Sequence, residues 1–156
     1  PSKTFNIPGL ACSVAIIENP ELRETYGKIL WSFSSGVSLL SQVGGMAAYK
    51  YGGEWLRQLN EYLEGNRDFL YDSIRSEIPE VRQTKIEATF LAWLDFSNTK
   101  IADKPQQFFL ENAKVALNDG KTFGSEYGSF VRLNFGTSRA RLSQALDQIF
   151  SAYRRK

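Results

Sequence analysis

The sequence predicts a mixed α/β protein, because short strand-like segments alternate with stretches of helical periodicity. Residues 10–17, 88–96 and 130–135 are apolar runs with the length and the β-branched or aromatic content of strands. The intervening stretches repeat apolar residues every three or four positions, as amphipathic helices do. Apolar residues make up 42% of the 156 positions and aromatic residues 13%, so we expect a folded core.

The first predicted elements are a strand over residues 10–17, buried on both faces, and a helix that Asn19 caps and Pro20 begins. Residues 34–36 break this helix, and a second helix rich in small residues covers 37–49. A strand buried on both faces needs neighbouring strands, and this segment has none nearby in the chain. We therefore expect the sequence to be a piece of a larger protein.

The later elements form a self-sufficient pattern that starts with a long amphipathic helix over residues 54–76, ended by Pro79. We expect a strand buried on both faces at 88–96 and a last helix from residue 139 to 153, capped by Thr137 or Ser138. The remaining predicted elements are a helix at 105–112, an edge strand at 115–117, a glycine-rich loop at 119–128 and a strand at 130–135. Residues 1–49 are thus predicted to be the remnant of a large α/β domain. Residues 50–156 are predicted to form a complete small α+β domain that opens with a long linking helix.

The composition excludes several classes of site. The chain has no histidine, which removes Ser-His-Asp and Cys-His catalysis and histidine-ligated metal centres, and we expect no metal. Its single cysteine, Cys12, lies in an apolar run, where a buried small residue is a better interpretation than a nucleophile. One cysteine allows no internal disulfide, which fits a reducing, cytoplasmic setting.

We expect neither a membrane nor a nucleic-acid partner. No run of 18 apolar residues occurs, and residues 1–4 do not read as a signal peptide. The net charge of +2 is small. Residues 132–156 carry six basic side chains against one acidic one, but three of the six follow a helix C-terminus, where the helix dipole stabilises them.

Two short segments carry residues that chemistry could use. Lys3 lies in SKTFNIPGL, residues 2–10, just before the first apolar run. Arg132 lies in FVRLNFG, residues 130–136, where a charged side chain between apolar neighbours needs a partner. Alone, Lys3 reads as a solvated charge, and Arg132 as an exposed edge residue or a structural ion pair.

In combination, these segments resemble the C–S lyases of cystathionine β-lyase type, within the class I/II aminotransferase superfamily of pyridoxal-phosphate (PLP) enzymes. Three further segments resemble the same branch, in the expected order: YGGEWL at residues 51–56, YLEGN at 62–66 and EATFLAWLDF at 87–96. The resemblance implies the C-terminal part of a PLP-dependent transferase fold. Residues 10–12 lack the phosphate-binding arginine of many aminotransferases, which favours the lyase branch.

The resemblance also implies roles for individual residues. Lys3 would bond to the cofactor aldehyde and take the substrate's α-proton, Ser2 would donate to the phosphate, and Arg132 would hold the α-carboxylate. The aromatic side chains Phe90 and Trp93 are better interpreted as core than as the substrate mouth. The implied substrate is a small sulfur-containing amino acid, cleaved to thiol, pyruvate and ammonia.

Two alternatives stay open, an aminotransferase with the same residues and a non-catalytic folded fragment. The family supplies the ring-stacking aromatic, the acid that pairs with the ring nitrogen and most of the phosphate cup from residues that would precede Pro1. We therefore expect this chain alone to be inactive. As a separate expectation, the protein forms a homodimer.

Overall fold

The computed structural model describes residues 1–34 and 36–156, which divide into two compact units, Pro1–Leu59 and Asn60–Lys156. The boundary predicted between residues 49 and 50 stays a prediction. The helices are α1 (Pro20–Phe33), α2 (Leu39–Tyr51), α3 (Gly53–Glu77), α4 (Pro105–Asn112) and α5 (Arg139–Arg155). The strands are β1 (Arg82–Gln83), β2 (Leu91–Asp95), β3 (Asn118–Asp119) and β4 (Phe130–Asn134).

The first unit consists of α1, α2 and the start of α3. The Asn19 side chain accepts hydrogen bonds from the backbone N–H groups of Glu21 and Leu22, at 2.9 and 3.0 Å, so α1 begins where predicted. Ser38 caps α2 in the same way, so this helix begins at Leu39, two residues after its predicted start at residue 37. The predicted break between the two helices includes Ser35, which lies outside the described residues.

The predicted buried strand at residues 10–17 is wrong. Pro8–Leu10 form a 3₁₀ turn, and no regular secondary structure follows before α1. Val14 and Ile16 are 70% and 88% exposed. A strand exists only when its backbone groups pair with a neighbour, and every strand of the described residues lies in the second unit. The apolar sequence is therefore strand-like, but none of the described residues pairs with it as a neighbouring strand.

The second unit is built on a four-stranded antiparallel sheet in the order β1-β2-β4-β3. One face is buried, and on it Ala92 pairs with Leu133 and Leu94 with Val131. The prediction that both faces of residues 88–96 are buried is wrong, because Leu91 and Trp93 point to the other face and remain half-exposed. The core also contains these largest buried side chains: Leu70, Ile74, Ile78, Phe96, Phe109, Phe135, Leu142, Leu146 and Ile149.

The helices of this unit follow the sequence closely. Helix α4 has the predicted bounds, α3 ends at Glu77 two residues before Pro79, and Ser138, not Thr137, caps α5. The predicted edge strand at 115–117 is wrong, because the Val115 N–H donates to the Phe109 carbonyl at the end of α4, and pairing starts only at Asn118. Among residues 1–34 and 36–156, no helix has the length and apolar character needed to cross a membrane.

Candidate active site

Lys3 and Ser2 lie in a hydrogen-bonded turn of the first unit. The N–H groups of Phe5 and Ile7 donate to the carbonyls of Pro1 and Ser2, at 2.9 and 3.2 Å. Ser2 is half-buried, whereas Lys3 is exposed and forms no ion pair with any residue in the described part of the chain. The Lys3 amine is therefore not engaged by an internal acid.

The ring of Phe5 anchors this turn to the helices of the same unit. It meets the ring of Tyr49 edge-on at 5.3 Å and stacks on that of Trp55 at 6.5 Å. A Cβ at Gly52 would lie 2.8 Å from the Phe5 ring, so only glycine allows this approach. The position of Lys3 thus depends on an aromatic contact two residues along the chain.

Arg132 lies in β4, an interior strand of the sheet of the second unit. Its directly opposed residues are Trp93 on β2 and Asn118 on β3, so the three side chains share the face away from the core. The Arg132 Nη2 donates to Oδ1 of Asn118 at 3.2 Å. The guanidinium carbon lies 4.6 Å from the centroid of the Phe123 ring, which covers one face of the group.

The Nε of Arg132 is buried and has no hydrogen-bond acceptor among the described residues. Leaving a buried donor unpaired costs about 1–3 kcal/mol, more for a charged group. None of the described residues forms an ion pair with Arg132 either, whereas Arg67, Arg82 and Arg154 all meet carboxylates. A guanidinium with a free, desolvated N–H fits a carboxylate ligand, which can accept two parallel hydrogen bonds from it.

An aromatic cluster surrounds this position. The Trp93 ring lies 5.4–5.5 Å from the rings of Phe123, Tyr127 and Phe130. Trp93 is therefore not part of the core, contrary to its sequence interpretation, whereas Phe90 does pack against the core. Phe123 and Tyr127 come from the glycine-rich loop, which forms two 3₁₀ turns, Gly120–Phe123 and Ser125–Tyr127.

The chain's sequence matches one protein family along almost its whole length. The family, aminotransferase class I and II, matches residues 1–149. This chain belongs to the aminotransferase class I and II family. The resemblance seen in the segments around Lys3 and Arg132 is thereby confirmed.

Members of this family with similar sequences include a C–S lyase. Cystathionine beta-lyase PatB of Bacillus subtilis (strain 168) is 37% identical over 97% of this chain and 40% of its own length. The chain thus spans about 40% of the length of the curated relatives that it matches.

Solved structures of similar proteins support the same family assignment. A Corynebacterium diphtheriae protein assigned as a PLP-dependent beta-cystathionase is 42% identical, with a TM-score of 0.91 over 99% of this chain and 41% of that one. Cystalysin of Treponema denticola, whose crystal structure contains pyridoxal 5'-phosphate, is 29% identical, with a TM-score of 0.91 over 99% of this chain and 40% of that one. The predicted mixed α/β fold of a PLP-dependent transferase is confirmed.

Sequence reasoning found Arg132 but missed the residues that touch it. Asn118 and Phe123 were placed only in or beside a loop, and neither was singled out. The clustering of Gly120, Gly124 and Gly128 was the one available signal, since it predicts a tightly folded loop there. Which side chain that loop would bring onto Arg132 depended on the register of β3 against β4.

Proposed function

We propose that this chain is the C-terminal part of a PLP-dependent C–S β-lyase of cystathionine β-lyase type. The observation that carries the proposal is Arg132, whose guanidinium has a buried Nε without an acceptor and no acidic partner in the described residues. Relatives named cystathionine beta-lyase support the choice of reaction, and PLP-dependent structural neighbours support the choice of cofactor.

Three residues of this chain would act on cofactor and substrate. Lys3 would bond to the cofactor aldehyde through Nζ, which forms no ion pair with the described residues. The Ser2 hydroxyl would donate a hydrogen bond to the phosphate. Arg132 would hold the substrate α-carboxylate and so fix the α-carbon. PLP, when bound, supplies an electron sink for the charge that develops at the α-carbon.

The proton chemistry belongs to Lys3. Its neutral amine would take the α-proton, which allows a thiol to leave from the β-carbon of a small sulfur-containing amino acid. One water molecule would then hydrolyse the remaining enamine to pyruvate and ammonia. Catalysis would require Lys3 to be held against a bound cofactor and shielded from water. Lys3 is exposed in this chain, so we expect the chain alone to show no turnover.

An aminotransferase is the second candidate, because the same Lys3 and Arg132 would serve it. In that reaction Lys3 would move the α-proton without loss of a thiol, and the bound cofactor would carry the amino group to a 2-oxo acid. Relatives named LL-diaminopimelate aminotransferase keep this reading open, although they are only 26% identical over 148 residues. A non-catalytic folded fragment is the third reading.

We also propose a homodimeric parent enzyme in the cytoplasm. The exposed apolar side chains of α1 support association, and Trp31 and Phe33 are 77% and 88% exposed. The single cysteine, Cys12, supports a reducing compartment.

The test uses the full-length protein that contains this chain, with PLP and cystathionine. Lys3→Ala should remove both the visible absorbance of lysine-bound cofactor and turnover. Arg132→Ala should keep the absorbance and weaken substrate binding by about 2–5 kcal/mol. Arg132→Lys should restore little of the lost substrate affinity, because an ammonium cannot make the two-point contact. Arg75→Ala, at an exposed arginine of α3, is the matched control and should change neither the absorbance nor the substrate affinity.

The products decide between the reactions. Pyruvate, ammonia and thiol in equal amounts support the lyase, whereas dependence on a 2-oxo acid as amino acceptor supports the aminotransferase. Unchanged substrate affinity in Arg132→Ala would remove the carboxylate role. A full-length protein that acquires no visible absorbance with PLP would leave only the non-catalytic reading.

A further inference from the structure

Two arginines in the sheet of the second unit each face a short polar side chain on the neighbouring strand. Arg82 on β1 lies directly opposite Asp95 on β2, and Arg132 on β4 lies directly opposite Asn118 on β3. Both pairs are antiparallel cross-strand neighbours, so each guanidinium can reach the side chain opposite. The partner of Arg82 is a buried carboxylate, whereas the partner of Arg132 is an exposed amide of nearly the same shape.

Arg82 is paired with its partner. Its Nε donates to Oδ2 of Asp95 at 2.9 Å, and its Nη2 lies 2.6 Å from the same oxygen in an ion pair. Nη2 also donates to the Ser97 hydroxyl at 2.9 Å. Burial tends to raise the pKa of Asp95, but hydrogen bonds from Ser97 and Arg82 outweigh it and hold that pKa below its ordinary value. The charge of Arg82 is therefore compensated inside the protein.

Arg132 is engaged only in part. Its one hydrogen bond in the described residues is the 3.2 Å contact from Nη2 to Oδ1 of Asn118, and Nε has no acceptor. An amide oxygen accepts a hydrogen bond but carries no net charge, so the charge of Arg132 stays uncompensated. Asn118 at one nitrogen and the Phe123 ring over one face restrain the plane of the guanidinium, while its charge and its buried Nε–H remain unpaired in the described residues.

We propose that Asn118 is a positioning residue for Arg132: it orients the guanidinium for the substrate carboxylate, and its neutrality keeps that charge from being neutralised internally. The inference rests on the proposed carboxylate-binding role of Arg132. An aspartate at this position would reproduce the Arg82–Asp95 pair. It would then compete with the ligand for both Nε and Nη2.

The experiment follows the arginine Nε–H resonances of the ¹⁵N-labelled 156-residue chain during titration with acetate, a minimal carboxylate. In the wild-type chain acetate should shift the Arg132 Nε–H, assigned by its loss in Arg132→Lys. In Asn118→Asp this resonance should already be shifted without acetate, and acetate should bind roughly tenfold more weakly. Asn118→Ala should also weaken acetate binding, but without shifting the resonance of the free protein.

The matched control is Asn98→Asp, which makes the same charge change at an exposed residue after β2. It should leave acetate binding at Arg132 unchanged. If acetate shifts the wild-type resonance but binds equally well to Asn118→Asp, this inference fails and the proposed role of Arg132 stands. If acetate does not shift the Arg132 resonance in the wild-type chain, the proposed role of Arg132 fails, and the positioning role of Asn118 fails with it.

Discussion

The Nε of Arg139 donates a hydrogen bond to Oδ1 of Asn66 at 2.8 Å, across 73 positions of sequence. The Nδ2 of the same Asn66 donates to the carbonyls of Phe135 and Thr137, at 3.2 and 2.8 Å. Asn66 is completely buried in α3, and its side chain provides hydrogen-bond partners for backbone carbonyls of the turn that joins β4 to α5. This turn begins three residues after Arg132.

Asn66→Ala should destabilise the chain by about 2–4 kcal/mol, because it removes the hydrogen bonds to the Phe135 and Thr137 carbonyls and to the Arg139 Nε. Urea unfolding followed by circular dichroism measures this as a lower midpoint. Asn60→Ala, at an exposed position of the same helix, is the control and should change stability by less than about 0.5 kcal/mol. Equal midpoints for the two variants would contradict the role of Asn66.

Asp95 should make stability depend on pH in the acid range. Its folded-state pKa lies below the ordinary value of 3.8, so the stability that it contributes is present above that value and is lost as the pH falls through the folded-state pKa. Asp95→Asn should therefore be less stable than wild type at neutral pH and should lose less stability below about pH 4.

Thermal unfolding at several acid pH values checks the prediction for Asp95. Asp147→Asn, at an exposed acid of α5, serves as control, and its melting temperature should fall with pH as steeply as that of wild type. If the melting temperatures of wild type and Asp95→Asn fell equally steeply with pH, the Arg82–Asp95 pair would not contribute in this way.

Gly120 should be intolerant of a side chain. A Cβ there would collide with the carbonyl oxygen of Tyr127 and lie 2.7 Å from that of Phe130. Gly120→Ala should cost about 1–3 kcal/mol, because backbone atoms must shift to admit the methyl group. It should also displace Phe123, which the Arg132 Nε–H resonance would report.

The contrasting variant is Gly27→Ala in α1, where a Cβ meets nothing within 4 Å. There the substitution should stabilise the helix by about 0.5–1 kcal/mol, since alanine has less backbone freedom to lose. Differential scanning calorimetry compares the two variants. A neutral Gly120→Ala would show that the loop has room to rearrange.

The apolar surface of the first unit should drive self-association. Ile16, Trp31 and Phe33 are 77–88% exposed, and Leu30 is 44% exposed. We expect the 156-residue chain to form a dimer or a larger oligomer in light scattering at micromolar concentration. The double variant Trp31→Glu, Phe33→Glu should shift it towards monomer.

The control for this prediction is the double variant Gln144→Glu, Gln148→Glu, which adds the same charge on the exposed face of α5. It should leave the oligomeric state as in wild type. A wild-type chain that stays monomeric across the micromolar range would contradict the prediction.

Local sequence signals determined most of the helices and the family. Asn19 caps α1 and Ser138 caps α5, each by accepting hydrogen bonds from the first turn of its own helix. Pro20 occupies the first position of α1. These signals depend on no distant residue. Helix α4 needed only its own pattern between Pro105 and Asn112. The segments around Lys3 and Arg132 pointed to the family because they are linear strings, readable before any folding.

Tertiary structure decided the rest, because it depends on which segments meet. Residues 10–17 have a strand's composition, but they pair with no strand among residues 1–34 and 36–156 and so form none. The register of β3 placed the neutral Asn118, rather than an acid, opposite Arg132. Whether a guanidinium is paired or free is a property of the atoms around it. Around Arg132 those atoms come from other segments of the chain, such as Phe123 and Asn118.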